Sequence, residues 1–444
     1  MSLKAKGSFT QNLAITFSGT VAAQAIGFFF TPFIARIYGP QAYGLFALFI
    51  SITGILSPMV TLQYPAAFVT ARNERDFRNL VQLSLLTVFF FTIAVLIFLW
   101  LFRNRVLIFF NATELNNYIF LIPVYIFFMG IENILLGWSI KRKEFKLSAA
   151  GKILSVITSK ALTVVWGLQI AATSLGMIVG NLLTYPVDSL LKLSKGIQKE
   201  FKQILRNNSV STRWSTFKNY KAYPLYVTAG LLFSNFSNQL PVYYFSVVFN
   251  QSLVGYYALA SSLVTIPVSL IISSSTTVFL QKAAEVFQND PGQLKHLVLR
   301  LYKRLFIMGF LPLLGIAVFG DYIFLFLFGN DWKEAGLFAS VLAFGVIFSV
   351  PASPLTVVFR VTRKEQLNFI INLIFIAIRL TGLLWGTFTE NIQHSIIGLS
   401  LASIAWQATQ LFWIFHIVAL DKKRIVRDIL IVGFLFYILM LVKL

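Results

Sequence analysis

Apolar residues in this chain neither alternate with polar ones nor mark a single helical stripe; they run on. LLTVFFFTIAVLIFLWLF at 85–102 is apolar on every face of a helix. A helix of that kind is buried in a large core or in a membrane. At about 1.5 Å of rise per residue, about 20 apolar residues cross the hydrocarbon layer. Twelve segments fit: 11–36, 43–69, 80–102, 117–139, 148–170, 174–192, 223–248, 255–280, 303–328, 336–359, 367–388 and 395–419. A further run, ILIVGFLFYILMLV at 429–442, is short for a crossing; it either lies partly embedded or forms a thirteenth helix. The pattern predicts an all-α polytopic membrane protein with about twelve transmembrane helices. The N-terminal MSLKAKGSFTQN has no small-residue cleavage site, so the first segment is expected to insert directly.

Composition agrees and narrows the chemistry. The chain is 57% hydrophobic and 12% charged, with 46 Phe and no Cys; a soluble domain carries about a quarter charged residues. The missing Cys excludes a disulfide framework, a thiolate metal site and a Cys nucleophile. The net charge of +21 would suggest nucleic acid in a soluble protein, but its distribution removes that reading. With the N-terminus inside, 29 of the 37 Lys and Arg fall in inward segments. Only Arg36, Arg103, Arg105 and Lys333 fall outside, as membrane insertion favours. The three His have no metal-ligand spacing, and there is no GxxxxGK[ST] loop to hold a nucleotide phosphate. No metal, cofactor or nucleic-acid partner is expected.

One stretch occurs twice. RIYGPQAYGLFAL at 36–48 is echoed by FNQSLVGYYAL at 249–259, which sets Gly44 and Gly255 211 positions apart. Pro32 and Pro241 precede them at similar offsets, and the largest inward loop, basic and about 193–222, falls midway. These features predict two parallel six-helix halves, 1–192 and 223–420, a cytoplasmic linker 193–222, and a tail 421–444. Parallel repeats with a binding site between halves are a known transporter plan.

Several stretches resemble polysaccharide-biosynthesis flippases of the O-antigen and exopolysaccharide type. They are IARIYGPQAYGLFAL, YPAAFVTARNERDFRNL, KRKEFKLSAAGKILS and SNQLPVYYFSVVFNQSLVGYYALASSLVTIPVSLI, and the resemblance covers residues of about 10–420. The superfamily also contains multidrug exporters and the lipid II flippase. The resemblance implies two six-helix bundles around a central cavity that opens to either side in turn. It implies an undecaprenyl-diphosphate-linked oligosaccharide as cargo, moved from the cytoplasmic to the outer leaflet of a bacterial cytoplasmic membrane. The partners it implies are glycosyltransferases and a polysaccharide polymerase. The run at 429–442 departs from a plain twelve-helix plan.

Ionisable groups inside spans are the candidate site. Lys160 and Arg379 lie near mid-membrane and Lys152 is shallower; a basic group at the centre costs ~2.5–3.5 kcal/mol. Facing a hydrated cavity, they suit a diphosphate: Arg offers a fork of donors and Lys a mobile point charge. Lys152 and Lys160 are eight apart, about 80° around a helix, and can share one wall; alternatively Lys152 snorkels to the surface. Arg36, at the outer end of the first segment, is placed to receive or release a headgroup. Glu132 either neutralises Lys160 or carries a coupling proton, and Asp188 is a salt-bridge or coupling-ion candidate. Asn235, Asn238, Gln239, Gln24, Gln63, Tyr64, Asn372, Gln407 and Gln410 are candidates for sugar hydroxyls; interhelical bonding is the competing role for each. A cation-coupled exporter would favour an acidic cavity, whereas the spans hold more buried bases. A membrane polymerase or ligase would need a sizeable external loop, and the outer turns here are short. The expectation is a transporter and not an enzyme.

Overall fold

The computed structural model describes residues 9–193, 197–198, 200–201, 204 and 210–443. Lys4 and Lys6, used for the N-terminal sidedness, lie outside the described residues, as do Lys195, Lys199, Lys202 and Arg206 of the linker. The described residues form helices α1 (Phe9–Thr61), α2 (Tyr64–Ala67), α3 (Glu74–Phe109), α4 (Leu121–Lys141), α5 (Phe145–Gln169), α6 (Ser174–Lys192) and α7 (Val210–Asn219). They continue with α8 (Thr228–Val248), α9 (Gln251–Asn289), α10 (Leu294–Phe328), α11 (Lys333–Ile347), α12 (Ser349–Leu355), α13 (Val357–Val361), α14 (Glu365–Phe388), α15 (Ile392–Ile417) and α16 (Lys423–Lys443). Among the described residues, ten helical stretches are long and apolar enough to cross a membrane. The protein is an all-α, multi-pass membrane protein.

Ten rather than twelve has local causes. The first two expected segments form one helical element, α1, interrupted at Gly39, whose φ of 68° belongs to the left-handed region; glycine adopts it without a Cβ penalty. The expected turn at 37–42 is therefore a single-residue break with Pro40 directly after it. The sixth and seventh segments, α6 and α8, are helices but fall outside the apolar set, because they carry Asn181, Asp188, Asn235, Asn238 and Gln239. The run at 429–442 belongs to α16, which joins the set.

Two further expectations are corrected. The second segment was expected to reach 69, but its helix stops at Thr61, and Leu62 and Gln63 take φ of 48° and 55°. Pro65 follows, and its missing N–H cannot bond one turn back. Gln63 and Tyr64 thus sit at a break, not on a span. The tenth segment, 336–359, is divided into α11, α12 and α13, with Pro351 and Pro354 in the middle piece.

The chain divides into two compact units, Met1–Gly255 and Tyr256–Leu444, with the division in the first turn of α9. In the first unit, loops expected on the basic side meet one another. Arg142 donates to both Glu74 oxygens at 3.0 and 2.8 Å and lies 3.0 Å from Glu200; the Glu74 carboxylate holds this guanidinium above its usual pKa. Asn79 donates to the Thr212 carbonyl at 3.3 Å and to Thr216 Oγ1 at 3.0 Å, so α7 of the linker is tied to α3. The expected outer turns meet likewise. Gln41 Nε2 donates to Glu114 at 2.5 Å, Tyr118 Oη lies 2.6 Å from Ser174 Oγ, and Asn111 Nδ2 donates to the Ser246 carbonyl at 3.1 Å.

The repeated glycines touch. A Cβ on Gly44 would lie 1.7 Å from the Gln251 carbonyl oxygen and 2.9 Å from the Gly255 nitrogen. A Cβ on Gly255 would lie 2.1 Å from the Pro40 carbonyl oxygen and 3.1 Å from the Gly44 nitrogen. Pro40 and Gln251 are themselves 211 apart, so each copy of the repeat sees the same contact.

In the second unit, α16 is fastened at both ends. Tyr302 Oη donates to Asp428 Oδ2 at 2.8 Å. Lys443 Nζ donates to Asp321 Oδ1 at 2.5 Å and to Ser340 Oγ at 3.1 Å. Tyr302 and Asp321 lie 19 residues apart on α10, about 28 Å of helix. α16 therefore runs in the same direction as α10, and it is long and apolar enough to cross a membrane.

Candidate transport site

Arg379 sits midway along α14, a helix otherwise rich in Ile, Leu and Phe. Phe375, one turn earlier, is buried, and the guanidinium carbon lies 5.6 Å from its ring centroid, a distance that favours a cation over a π face. The Tyr257 hydroxyl interacts with the same guanidinium. Arg379 and Tyr257 both line a cavity of about 90 Å³. Ser261, Thr265, Ser400 and Ser403 add hydroxyls to its wall. The result is a cation in a polar recess inside an apolar unit. Tyr257 was not anticipated; its place inside GYYAL, the echo of GLFAL at 44–48, was the available signal.

Lys160 lies on α5, half-buried, with no hydrogen bond or ion pair among the described residues. Lys152, two turns earlier, is exposed, and its Nζ lies 3.4 Å from Thr20 Oγ1 on α1. Arg36 is exposed on α1, just before the Gly39 break. Lys160 and Lys152 share a helix as expected, and the described contacts do not join Arg36 to them.

Glu132 and Asp188 do come together, on a different lysine. Lys192, the last residue of α6, donates to Asp188 Oδ2 at 2.8 Å and pairs with Glu132 of α4. Its side chain is 2% exposed. Glu132 is thus the partner of Lys192 and not of Lys160. The i, i+4 spacing of Asp188 and Lys192 puts them on one face of α6, and α4 supplies the second acid. Nearby, Tyr125 Oη donates to Asn181 Oδ1 at 2.6 Å and lies 3.1 Å from Tyr185 Oη. In sequence Lys192 closes the apolar run 174–192, where a Lys reads as an interfacial charge.

The polar span residues separate by partner. Asn235 donates to the Gly54 carbonyl at 2.9 Å, and Gln239 accepts from Ser51 Oγ at 2.6 Å; both link α8 to α1. Asn372 accepts from Trp406 Nε1 at 3.2 Å and from Gln410 Nε2 at 3.4 Å. These three serve interhelical bonding. Asn238 is exposed, with no hydrogen bond among the described residues. Among the described residues, Oε1 of Gln24 and of Gln407 is buried without a hydrogen-bond partner, as is the Tyr64 hydroxyl. Among the described residues no group of His, Asp and Glu is arranged to hold a metal ion.

A family of proteins described as polysaccharide biosynthesis proteins matches residues 33–337. The chain belongs to that family. Among curated proteins none matches it in sequence. Its fold is that of a multidrug resistance MATE family transporter of the MOP superfamily in an inward-facing conformation. That match has a TM-score of 0.69 and 15% identity and covers 91% of this chain and 99% of the other. It is equally that of the lipid II flippase MurJ, with a TM-score of 0.68, 16% identity and coverage of 96% and 97%. An outward-facing MATE transporter matches at 0.59 and 14% identity, over 94% and 98%. At these identities the likeness is one of fold. A member of the polysaccharide family thus carries the fold of lipid flippases and exporters.

Proposed function

We propose that the protein is a flippase, a carrier and not an enzyme, that moves an undecaprenyl-diphosphate-linked oligosaccharide from the cytoplasmic to the outer leaflet of a bacterial cytoplasmic membrane. Its N-terminus is cytoplasmic, and transport proceeds by alternating access between two six-helix halves. The observation that carries this reading is Arg379, a cation deep in a span that opens on a hydroxyl-lined recess. An anionic group crossing the membrane gains from such a donor, and the surrounding low dielectric strengthens the attraction. Lys160 and Lys152 on α5, and Arg36 at the end expected to be outer, are further candidates for the diphosphate. Asn238, Gln24 and Gln407 are the better candidates for sugar hydroxyls, since Asn235, Gln239 and Asn372 spend polar atoms on neighbouring helices.

The Glu132–Lys192–Asp188 cluster is our candidate for coupling. Two carboxylates share one ammonium, so one proton or cation balances the charge. The same cluster is what a cation-coupled exporter would use, and it is the observation that keeps that reading alive. Glycosyltransferases and a polymerase would supply and consume the flippase's cargo.

The test is translocation in proteoliposomes, following the accessibility of a fluorescent lipid-linked oligosaccharide from one leaflet. Equilibration by the intact protein, slowed in Arg379→Ala and Lys160→Ala, is the expected result. Exchange of a small organic cation for H⁺ or Na⁺, with no lipid movement, would replace the proposal with the exporter.

A further inference from the structure

The second unit has another cationic feature, away from Arg379. α9 and α10 are joined by the short Pro291–Gln293 turn, yet they do not pack closely on one another. A cleft of about 400 Å³ lies between them. Lys282 of α9 and Arg300 and Arg304 of α10 line it. Its floor is apolar, with Phe279 and Leu305 buried and Met308 exposed at the edge. Arg300 and Arg304 are one helical turn apart and make no hydrogen bond, ion pair or ring contact among the described residues. Lys282 lies 3.1 Å from Glu285, with both side chains more than half exposed; such a pair holds its lysine weakly.

We propose that this cleft binds the headgroup of an anionic phospholipid. Three cations with one exposed carboxylate leave a positive mouth, which complements a phosphodiester. Met308 lies one turn beyond Arg304 toward the apolar middle of α10, about 6 Å along the axis. A lipid whose phosphate sits at Arg300 and Arg304 therefore runs its first methylenes over Met308 and Leu305. A soluble phosphate compound would leave that apolar floor uncovered. The volume takes a phosphate, a glycerol and the start of two chains. The ligand we assign is accordingly a resident membrane lipid, at a site separate from Arg379. The charge bias places the cleft with the cytoplasmic loops, where basic groups attract anionic lipid.

Native mass spectrometry of the detergent-solubilised full chain tests this, with phosphatidylglycerol and phosphatidylcholine added in turn. The intact protein should retain phosphatidylglycerol in preference. In Arg300→Gln/Arg304→Gln its affinity should fall about ten-fold or more, whereas Arg363→Gln/Lys364→Gln, basic but outside the cleft, should bind as the parent does. Both Arg300 and Arg304 are exposed, and an unchanged melting temperature without lipid checks the fold. Arg300→Lys/Arg304→Lys should recover most of the binding. Equal binding of the two lipids, undiminished binding in the glutamine variant, or full competition by glycerol 3-phosphate at the lipid's concentration would overturn the proposal. Loss of phosphatidylglycerol binding with normal glycan translocation supports a lipid site separate from transport.

Discussion

Lys192 in the first unit and Arg379 in the second are both cations set into apolar helices, and their surroundings differ. Lys192 is sealed between two carboxylates, 2% exposed. Arg379 looks into a recess of hydroxyls and an aromatic face. A buried cation with fixed counter-charges is part of the framework, because removing it strands the acids. A buried cation beside neutral donors and acceptors can still take an anion. Depth in the membrane is therefore a poor guide to role, and the partner is the better one.

The sharpest way to break this contrast is Lys192→Met. It leaves Glu132 and Asp188 without their ammonium and should cost ~3–5 kcal/mol, read as a large drop in the thermal unfolding midpoint in detergent. Adding Glu132→Gln and Asp188→Asn should recover most of it. Unfolding of the single variant at the parental temperature would make the cluster dispensable to the framework. Arg379→Ala comes next, with the opposite profile. Translocation of lipid-linked glycan should slow by roughly ten- to a hundredfold, the loss of a charge-assisted bond, while the melting temperature hardly moves. Lys160→Gln should slow transport less and leave stability level or slightly raised, since no ion pair is broken. The smallest effect separates two neighbours on α8. Asn235→Ala should lose ~0.6 kcal/mol of interhelical bonding with transport intact, whereas Asn238→Ala should leave stability alone and weaken glycan binding.

Much of the helix plan was legible because crossing length is a local property: twenty apolar residues announce themselves. The alternation of sides was legible too, since Arg142, Glu74 and Glu200 gather at one end and Gln41 and Glu114 at the other. Partners were not. Lys192 reads in sequence as an interfacial charge because only the fold brings α4 beside α6, and of the two roles open to Glu132 the pairing with Lys160 gives way to one with Lys192 for the same reason. The role of α16 also needed three dimensions, because its anchors, Tyr302 and Asp321, are more than a hundred residues away in sequence.

The contact between Gly44 and Gly255 bears on how the two copies of the repeat can change with time. Each glycine is walled in by the other's backbone, not by a side chain that might shrink to make room. A methyl group on either one strikes a carbonyl oxygen, and no compensating substitution elsewhere can trim that oxygen away. The two copies are therefore bound to a common restriction at this point, whatever happens to the rest of their sequences. A duplicated segment free to drift would lose its likeness first where nothing touches and last where each copy is the other's mould. That accounts for an echo of a few residues, heard across 211 positions, while the sequence around each copy differs.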